Sequence, residues 1–182
     1  MDRTTTCCFT GHRRLKLPID GQLYRRLDLE IGWLAEHGIS NFIAGGAIGF
    51  DTIAAEAVLR ARRSIPNIRL HLFLPSPIQT CAWNDKDRER YGIILDAADS
   101  VRILGTNNSA ACMMQRNRAM VDFSSCVIAF YDHATQTPGV PPHGGTFRTL
   151  QYARSQNIPI INLHDSEPGE LMIRRDWHLT EN

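Results

Sequence analysis

The sequence lacks a long apolar run and carries almost no net charge. No stretch approaches the ~20 apolar residues that a membrane-spanning helix needs, and segment 1–14 has an acid at Asp2 and too short an apolar run for a signal peptide. The formal net charge of +1 lacks the basic excess of many nucleic-acid-binding proteins, although a local basic patch stays open. We therefore expect a cytoplasmic protein without a membrane partner.

The sequence also lacks the CxxC and HxxH motifs that would pair its five cysteines with metal-ligand spacing. The odd number of cysteines, three of them in apolar contexts, predicts reduced thiols rather than a disulfide framework, and their spacing argues against a metal site. Hydrophobic content of 43% over 182 residues is sufficient for one domain with a substantial core. The cysteines are Cys7, Cys8, Cys81, Cys112 and Cys126.

Short apolar runs alternate with amphipathic segments along the chain. Strands are predicted at 4–9, 41–44, 68–75, 100–104, 126–132 and 158–163. Helices are predicted at 18–37, 51–63, 84–98, 110–123 and 146–156. Gly38 is the expected C-cap of the first helix, and Asn84 or Asp85 is the expected N-cap of the third.

This alternation predicts a doubly wound α/β fold, a mostly parallel sheet of about six strands with helices on both faces. No internal repeat, low-complexity tract or linker interrupts it. We expect one nucleotide-binding domain over 1–165 and a C-terminal tail over 166–182 that packs on the domain or trails from it.

Three predicted strands end in glycine-bearing turns that lead into helices, FTGHRR at 9–14, AGGAIGFD at 44–51 and HGGTFR at 143–148. In a parallel sheet such turns share one edge, where ligands bind. Glycine lets the backbone approach a ligand, and the first N–H groups of the next helix point at an anion. The second turn departs from GxGxxG spacing, and its alternative role is a tight strand-to-helix connection. Together the turns predict a site for a phosphate-bearing small ligand.

Charged residues beside the turns refine this prediction. His12 and Arg13 can reach an anion or a base. Asp51 is expected at the N-cap of the second helix, where it either satisfies helix N–H groups or contacts a ribose. Arg116, on the helix before the fifth strand, either lines the site or is an ordinary surface arginine. The predicted ligand-binding residues are Thr10, Gly11, His12, Arg13, Gly45, Gly46, Ala47, Gly49, Asp51, Arg116, Gly144, Gly145 and Thr146.

Several other residues have two possible roles. Trp83 and Tyr91 either stack on a base or pack in the core. Asn117 and Asp122 either line the pocket or are ordinary polar groups of their helix. The segment 134–143 is rich in Pro, Thr and His and is a candidate lid over the site.

Four segments occur in an order that resembles a known family. They are CCFTGHRR, AGGAIGFDTIAAE, AWNDKDRERYGIILDAADSV, and MQRNRAMVDFSSCVIAFYD with HGGTFRTLQYA after it. Over residues 7–163 the chain resembles the YpsA-like branch of the SLOG superfamily, which is related to the LOG nucleoside-monophosphate phosphoribohydrolases and to the Rossmann-like domain of DprA. The resemblance implies a Rossmann-like three-layer fold, a nucleotide or nucleotide-derived ligand and frequent dimers.

The LOG enzymes combine an arginine four residues before a methionine with a PGGxGTxxE turn whose glutamate is catalytic. Arg116 and Met120 match the first feature, and Gly145 and Thr146 match the GT step. The glutamate position is Thr149, which has no charge with which to stabilise an oxocarbenium-like state or to position water. The resemblance therefore implies retained binding residues without the LOG glutamate.

Three functions are compatible with these residues. The first is a nucleotide-binding sensor or regulatory module. The second is a LOG-like hydrolase of the N-glycosidic bond of a nucleoside monophosphate, with Arg116 as the candidate catalytic residue and a carboxylate supplied by Glu56 or Asp132. The third is single-stranded DNA binding as in DprA, which the near-neutral charge favours less. No cofactor is firmly implied beyond a nucleotide ligand, and the expected partners are that ligand and, where a homodimer forms, a second copy of the chain.

Overall fold

Six strands and five α-helices alternate along the chain in the computed structural model, which describes residues 1–15, 21–132 and 143–164. The strands are β1 (Thr6–Gly11), β2 (Asn41–Ala44), β3 (Arg69–Leu74), β4 (Ser100–Ile103), β5 (Cys126–Phe130) and β6 (Ile160–Asn162). The helices are α1 (Gly21–Glu36), α2 (Phe50–Ala61), α3 (Asp85–Ala97), α4 (Ala110–Asp122) and α5 (Gly145–Ser155). Each element corresponds to a predicted one.

The strands form one parallel sheet in the order β4-β3-β2-β1-β5-β6. Strands β1 to β4 are successive neighbours toward one edge of the sheet. The chain then crosses back and places β5 on the other side of β1. The strand order therefore reverses between β1 and β5, and their carboxyl ends open into the crevice where doubly wound folds bind ligands. This topology confirms the predicted Rossmann-like α/β fold.

Successive strand residues face two apolar layers, one on each side of the sheet. Cys7 and Phe9 of β1 pack with the layer of α1 and α2, whereas Cys8 packs with the layer of α4 and α5. Phe9 stacks on Phe42 with ring centroids 5.9 Å apart. Because both faces of the central strands are covered, their sequences are continuous apolar runs rather than alternating patterns. Cys7, Cys8 and Cys126 are buried and unbridged.

Local capping sets the ends of the elements. Gly38 takes φ 91° after α1, which confirms the predicted glycine cap. Asn84 is the N-cap of α3 and accepts from Asp87 N at 2.9 Å, as predicted. The predicted strand start at residue 4 is wrong, because the Asp2 carboxylate caps a short 3-10 turn. β1 therefore begins at Thr6.

Parts of the sequence predictions fall outside the described residues. They are the tail at 166–182 and all but the last residue of the candidate lid at 134–143, so the domain division stays a prediction. Within the described ranges, none of the helices combines the length and apolar character needed to cross a bilayer. The same residues include no group of three or more His, Cys, Asp or Glu side chains placed to hold a metal ion.

Glu30 lies on the buried side of α1, with 7% of its surface exposed. Burial disfavours the charged carboxylate and raises the pKa of Glu30 from 4.5 to about 7. A carboxyl group whose pKa is raised by folding costs no stability at low pH, where it is protonated in both states. The cost grows as the pH rises from 4.5 through about 7.

Glu30→Gln should therefore raise the free energy of unfolding by about 1–3 kcal/mol near pH 8 and by almost nothing near pH 4. Urea unfolding followed by far-ultraviolet circular dichroism at both pH values measures the difference. Glu36→Gln, on the exposed end of the same helix, is the control and should show no comparable gain between the two conditions. An equal gain from Glu30→Gln at both pH values would contradict titration of a buried carboxyl group.

Candidate functional site

The three glycine turns meet at the carboxyl edge of the sheet. Phe50 N, at the start of α2, donates to His12 O at 3.1 Å and joins the turn after β2 to the turn after β1. Thr146 Oγ1, in the first turn of α5, donates to Gly11 O at 2.9 Å and joins α5 to the end of β1. The end of β1 is therefore the centre to which the other two turns are attached.

Arg116 is the most deeply buried charged side chain at this edge, with 5% of its surface exposed. Its guanidinium extends from α4 to lie against the backbone of Gly45. Nη1 lies 3.6 Å from Asp51 Oδ2, and within the described part of the chain Nε and Nη1 have no hydrogen-bond partner. Burial lowers the pKa of Arg116, and the Asp51 carboxylate opposes that shift. Because buried donors without acceptors are costly, this guanidinium is suited to receive an anion.

Asp51 lies in the first turn of α2 rather than at its N-cap, so its predicted position is wrong. Gly49 is the N-cap, with φ 94°, because the backbone carbonyl of Arg13 leaves room for no side chain there. The Asp51 carboxylate turns back toward Arg116 and accepts from Ala47 N at 3.4 Å. Burial raises the pKa of Asp51, and the Arg116 charge and the Ala47 N–H oppose this. Asp51 is thus a buried partner of Arg116.

Three of the predicted glycines are required by neighbouring protein atoms. A Cβ at Gly11 would lie 2.5 Å from the Phe50 ring. A Cβ at Gly45 would overlap the Arg116 guanidinium, and one at Gly49 would overlap backbone carbonyls of the first turn. These glycines let the first two turns and the arginine pack together, which is the structural alternative that the sequence left open.

The turn before α5 differs because no described atom lies where side chains of its glycines would be. Gly144 is the N-cap of α5 and takes φ 99°. A Cβ at Gly144 or Gly145 would meet no described atom within 4 Å. The first N–H groups of a helix have no acceptor within it, and the helix dipole favours an anion beside them. The Thr146 hydroxyl already donates its proton to Gly11 O of β1. The donor that Thr146 has left for a ligand is therefore its backbone N–H.

Polar side chains also gather at the end of β5. Asp132 N donates to His12 Nε2 at 3.0 Å, which assigns the ring proton of neutral His12 to Nδ1. The His12 ring stacks on Tyr131 with centroids 5.2 Å apart. The Asp132 carboxylate is 7% exposed, and its Oδ1 lies 3.5 Å from His164 Nε2. The structure thus places a carboxylate and two imidazoles beside the crevice.

Thr149, at the position of the LOG glutamate, serves the packing of two helices. It is 3% exposed, and its hydroxyl donates to Gly145 O at 2.8 Å. Asn117 Nδ2 of α4 donates to Thr149 Oγ1 at 2.8 Å. Asn117 therefore has a structural role in joining α4 to α5. Of the two alternative carboxylates, Asp132 lies at the carboxyl edge, whereas Glu56 forms an ion pair with a side chain of α3.

Gln79 is a buried polar residue at this edge that the sequence interpretation missed. Its Nε2 donates to Gly46 O at 2.6 Å, while its Oε1 has no partner among the described residues. Tyr91 and Gln79 both approach Gly46, and the Tyr91 ring meets that of Trp83 edge to face, with centroids 5.4 Å apart. No motif surrounds Gln79 in the sequence, because its place depends on how the loop after β3 folds over the turn after β2.

The remaining candidates occupy the rim and the floor of the site. Arg13 is exposed, and its Nη2 lies 3.2 Å from the Met113 sulfur on α4. Asp122 accepts from Tyr152 Oη at 2.7 Å and so joins α4 to α5. Three further predicted residues are buried: Thr10 in β1, and Gly46 and Ala47 in the turn after β2.

Comparison with known proteins identifies relatives along nearly the whole chain. The family model YpsA, described as the YspA SLOG family, matches residues 7–166. UPF0398 protein BH1768 of Halalkalibacterium halodurans is 28% identical over 168 residues, which cover 87% of this chain and 88% of that protein. UPF0398 protein BCG9842_B3730 of Bacillus cereus is 27% identical over 143 residues, which cover 74% of this chain and 77% of that protein.

Two solved structures share the fold. DNA processing protein A from Helicobacter pylori, studied for its single-stranded DNA binding mode, superposes with a TM-score of 0.57 and 20% identity. That alignment covers 87% of this chain but only 64% of the Helicobacter chain. The X-ray structure of TM1055 gives a TM-score of 0.53 and 15% identity, covering 88% of this chain and 78% of that one. At these identities the two structures support the fold alone. Because the family model spans residues 7–166, the protein belongs to the YpsA family of the SLOG superfamily.

Proposed function

We propose that this protein binds a nucleotide or nucleotide-derived ligand at the carboxyl edge of its sheet and acts as a sensor or regulatory module. The observation that carries the proposal is Arg116, a buried guanidinium with two nitrogens that have no hydrogen-bond partner among the described residues. Such a permanently charged group is stabilised when an anion supplies acceptors. A phosphate group suits it, because the planar guanidinium binds phosphate oxygens in a bidentate manner.

Each of the surrounding residues supplies a different contact to such a ligand. The phosphate lies between Arg116 and the first N–H groups of α5, where the helix dipole also favours negative charge. No described atom lies within 4 Å of a Cβ at Gly144 or Gly145, where α5 begins. Exposed Arg13 adds a second positive charge at the rim. Asp51 keeps the Arg116 guanidinium in place and offers an acceptor to a ribose hydroxyl.

Thr149 favours binding over LOG-type chemistry. Loss of a carboxylate that acts as a general base typically removes about 10²–10⁴ in rate. The Thr149 hydroxyl cannot replace that carboxylate, because it has no charge and its proton is donated to Gly145 O. The chain therefore has the residues proposed to bind the ligand but lacks, at position 149, the carboxylate that would make LOG-type hydrolysis efficient.

A hydrolase of the N-glycosidic bond is the second candidate, and Asp132 is the residue that favours it. Its carboxylate lies at the end of β5, next to the reversal of strand order, and 3.5 Å from His164. A carboxylate in that place can orient water or stabilise an oxocarbenium-like state. Single-stranded DNA binding is the third candidate and depends on the fold shared with the Helicobacter protein.

A thermal-shift screen against nucleoside mono-, di- and triphosphates and dinucleotides tests the proposal. A ligand at about 100 times its Kd should stabilise the protein by about 2.7 kcal/mol through mass action. For a chain of this size that is a rise in Tm of roughly 5–10 °C. A screen in which no nucleotide moves the midpoint would overturn the proposed function.

The same ligands distinguish the other candidates. Release of free base that disappears in Asp132→Asn would favour the hydrolase over the sensor. Retardation of single-stranded DNA that weakens steeply with salt would favour the third candidate, because phosphate contacts release counterions.

A further inference from the structure

The amide of Gln79 carries a hydrogen-bond acceptor that the described protein leaves unused. Gln79 lies in the loop between β3 and α3 and is 8% exposed. Its Nε2 donates to Gly46 O at 2.6 Å, and its Oε1 has no hydrogen-bond partner among the described residues. The amide orientation is fixed by that contact, because the flipped amide would set Oε1 against the Gly46 carbonyl. The unpaired acceptor therefore follows from the packing of the loop.

Gln79 and Arg116 flank the same turn. A Cβ at Gly45 would overlap the Arg116 guanidinium, and a Cβ at the next residue, Gly46, would lie 3.3 Å from Gln79 Nε2. Consecutive Cα atoms are about 3.8 Å apart. The Arg116 guanidinium, which pairs with Asp51 but has two nitrogens without a hydrogen-bond partner among the described residues, and the Gln79 amide thus lie against neighbouring residues of one short turn.

An aromatic side chain borders the Gln79 side of the turn, and a second packs against it. Tyr91 Cε2 would lie 3.2 Å from a Cβ at Gly46, and its ring meets that of Trp83 edge to face. Both residues are half-buried. Half-buried aromatic residues near a fixed acceptor suit a planar heterocycle, which gains from stacking and from one directed hydrogen bond.

We propose that Gln79, with Trp83 and Tyr91 beside it, forms a subsite for a nucleobase whose edge carries an N–H donor, and that Gln79 Oε1 accepts this hydrogen bond. The inference rests on the proposed function, since it places the base of the same nucleotide whose phosphate meets Arg116. It makes Gln79 a specificity-determining residue. A base without an N–H leaves the buried acceptor unpaired, which typically costs about ten- to a hundredfold in affinity.

The test compares AMP, GMP and IMP, whose bases each carry an N–H, with purine riboside 5′-monophosphate, whose base carries none. Isothermal titration calorimetry on the full chain gives each Kd, and ribose 5-phosphate reports on the phosphate subsite alone. At least one of the three nucleotides should bind about tenfold more tightly than purine riboside 5′-monophosphate. In Gln79→Met this ratio should fall to near one, while the Kd of ribose 5-phosphate stays as in the wild type.

The outcomes separate this inference from the function on which it rests. If ribose 5-phosphate binds but all four nucleotides bind the wild type equally, the base subsite is overturned and the phosphate site stands. A folded Gln79→Met variant that keeps the full ratio overturns it as well. If neither the nucleotides nor ribose 5-phosphate bind, the proposed function fails and the base subsite fails with it. If Gln79→Met does not fold, the comparison of the four nucleotides on the wild-type protein decides alone whether the base subsite exists.

Discussion

Arg116→Met should weaken nucleotide binding by about 100-fold or more. The substitution keeps an unbranched side chain of similar reach and removes the only charge on α4 that is buried beside the Gly45 turn. Hydrogen bonds to a charged group contribute about 1.5–3 kcal/mol each, and the guanidinium offers two nitrogens that have no hydrogen-bond partner within the described chain. Titration calorimetry with the best ligand of the thermal-shift screen measures the change.

The same substitution should also lower stability, because it leaves Asp51 without its cation. Removing one member of a buried ion pair costs about 3–5 kcal/mol when the other stays charged. Asp51 can instead take up a proton, since burial already raises its pKa. The destabilisation of Arg116→Met should therefore grow as the pH rises above 3.8, the ordinary value for this carboxyl group.

Two further variants make this prediction decisive. Arg116→Met/Asp51→Asn should recover much of the lost stability but none of the lost binding, because it removes the unpaired carboxylate without restoring a cation. Arg118→Met lies on the same helix, where the Arg118 guanidinium is 5.3 Å from the centre of the Tyr152 ring on the surface. It should change binding little. Equal losses of affinity in Arg116→Met and Arg118→Met would contradict a specific anion site.

The fold was predictable because buried parallel strands and amphipathic helices leave strong local patterns. Cys126–Phe130 is an apolar run covered on both faces, and such a run has few alternatives. Helix ends were predictable where the cap is local, as at Asn84. The N-cap of α2 was not, because Gly49 is placed there by backbone atoms of the first turn, which is distant in sequence.

The candidate site was only partly predictable for the same reason. Glycine turns are visible in sequence, but whether a glycine faces a ligand or a neighbouring side chain depends on tertiary packing. Gly45 faces Arg116, while a Cβ at Gly145 would meet no described atom within 4 Å. Gln79 left no sequence signal, because a single amide in an irregular loop acquires its role only through the carbonyl that it contacts. Thr149 was identified as a departure from LOG enzymes, but its bond with Asn117 required the structure.

Gly45→Ala and Gly145→Ala should have opposite effects on stability and a shared effect on binding. The new methyl at position 45 would overlap the Arg116 guanidinium, and overpacking of this kind costs about 1–3 kcal/mol or more. Displacing that guanidinium should also weaken nucleotide binding by at least about tenfold.

The methyl of Gly145→Ala meets no described atom and lies in the first turn of a helix. It should stabilise the fold by up to about 1 kcal/mol, because alanine restricts the unfolded chain more than glycine does.

Gly145→Ala should nevertheless weaken binding by about tenfold, since its methyl occupies the space through which a phosphate approaches the N–H groups of α5. Urea unfolding and ligand titration on each variant separate the two effects. Gly92→Ala is the control, because Gly92 lies in the middle of α3 and its new methyl would meet no described atom within 4 Å. This variant should gain stability and keep full affinity. If Gly145→Ala binds as tightly as Gly92→Ala, the ligand does not approach the start of α5. If Gly45→Ala keeps both stability and affinity, Arg116 does not lie where the anion site requires it.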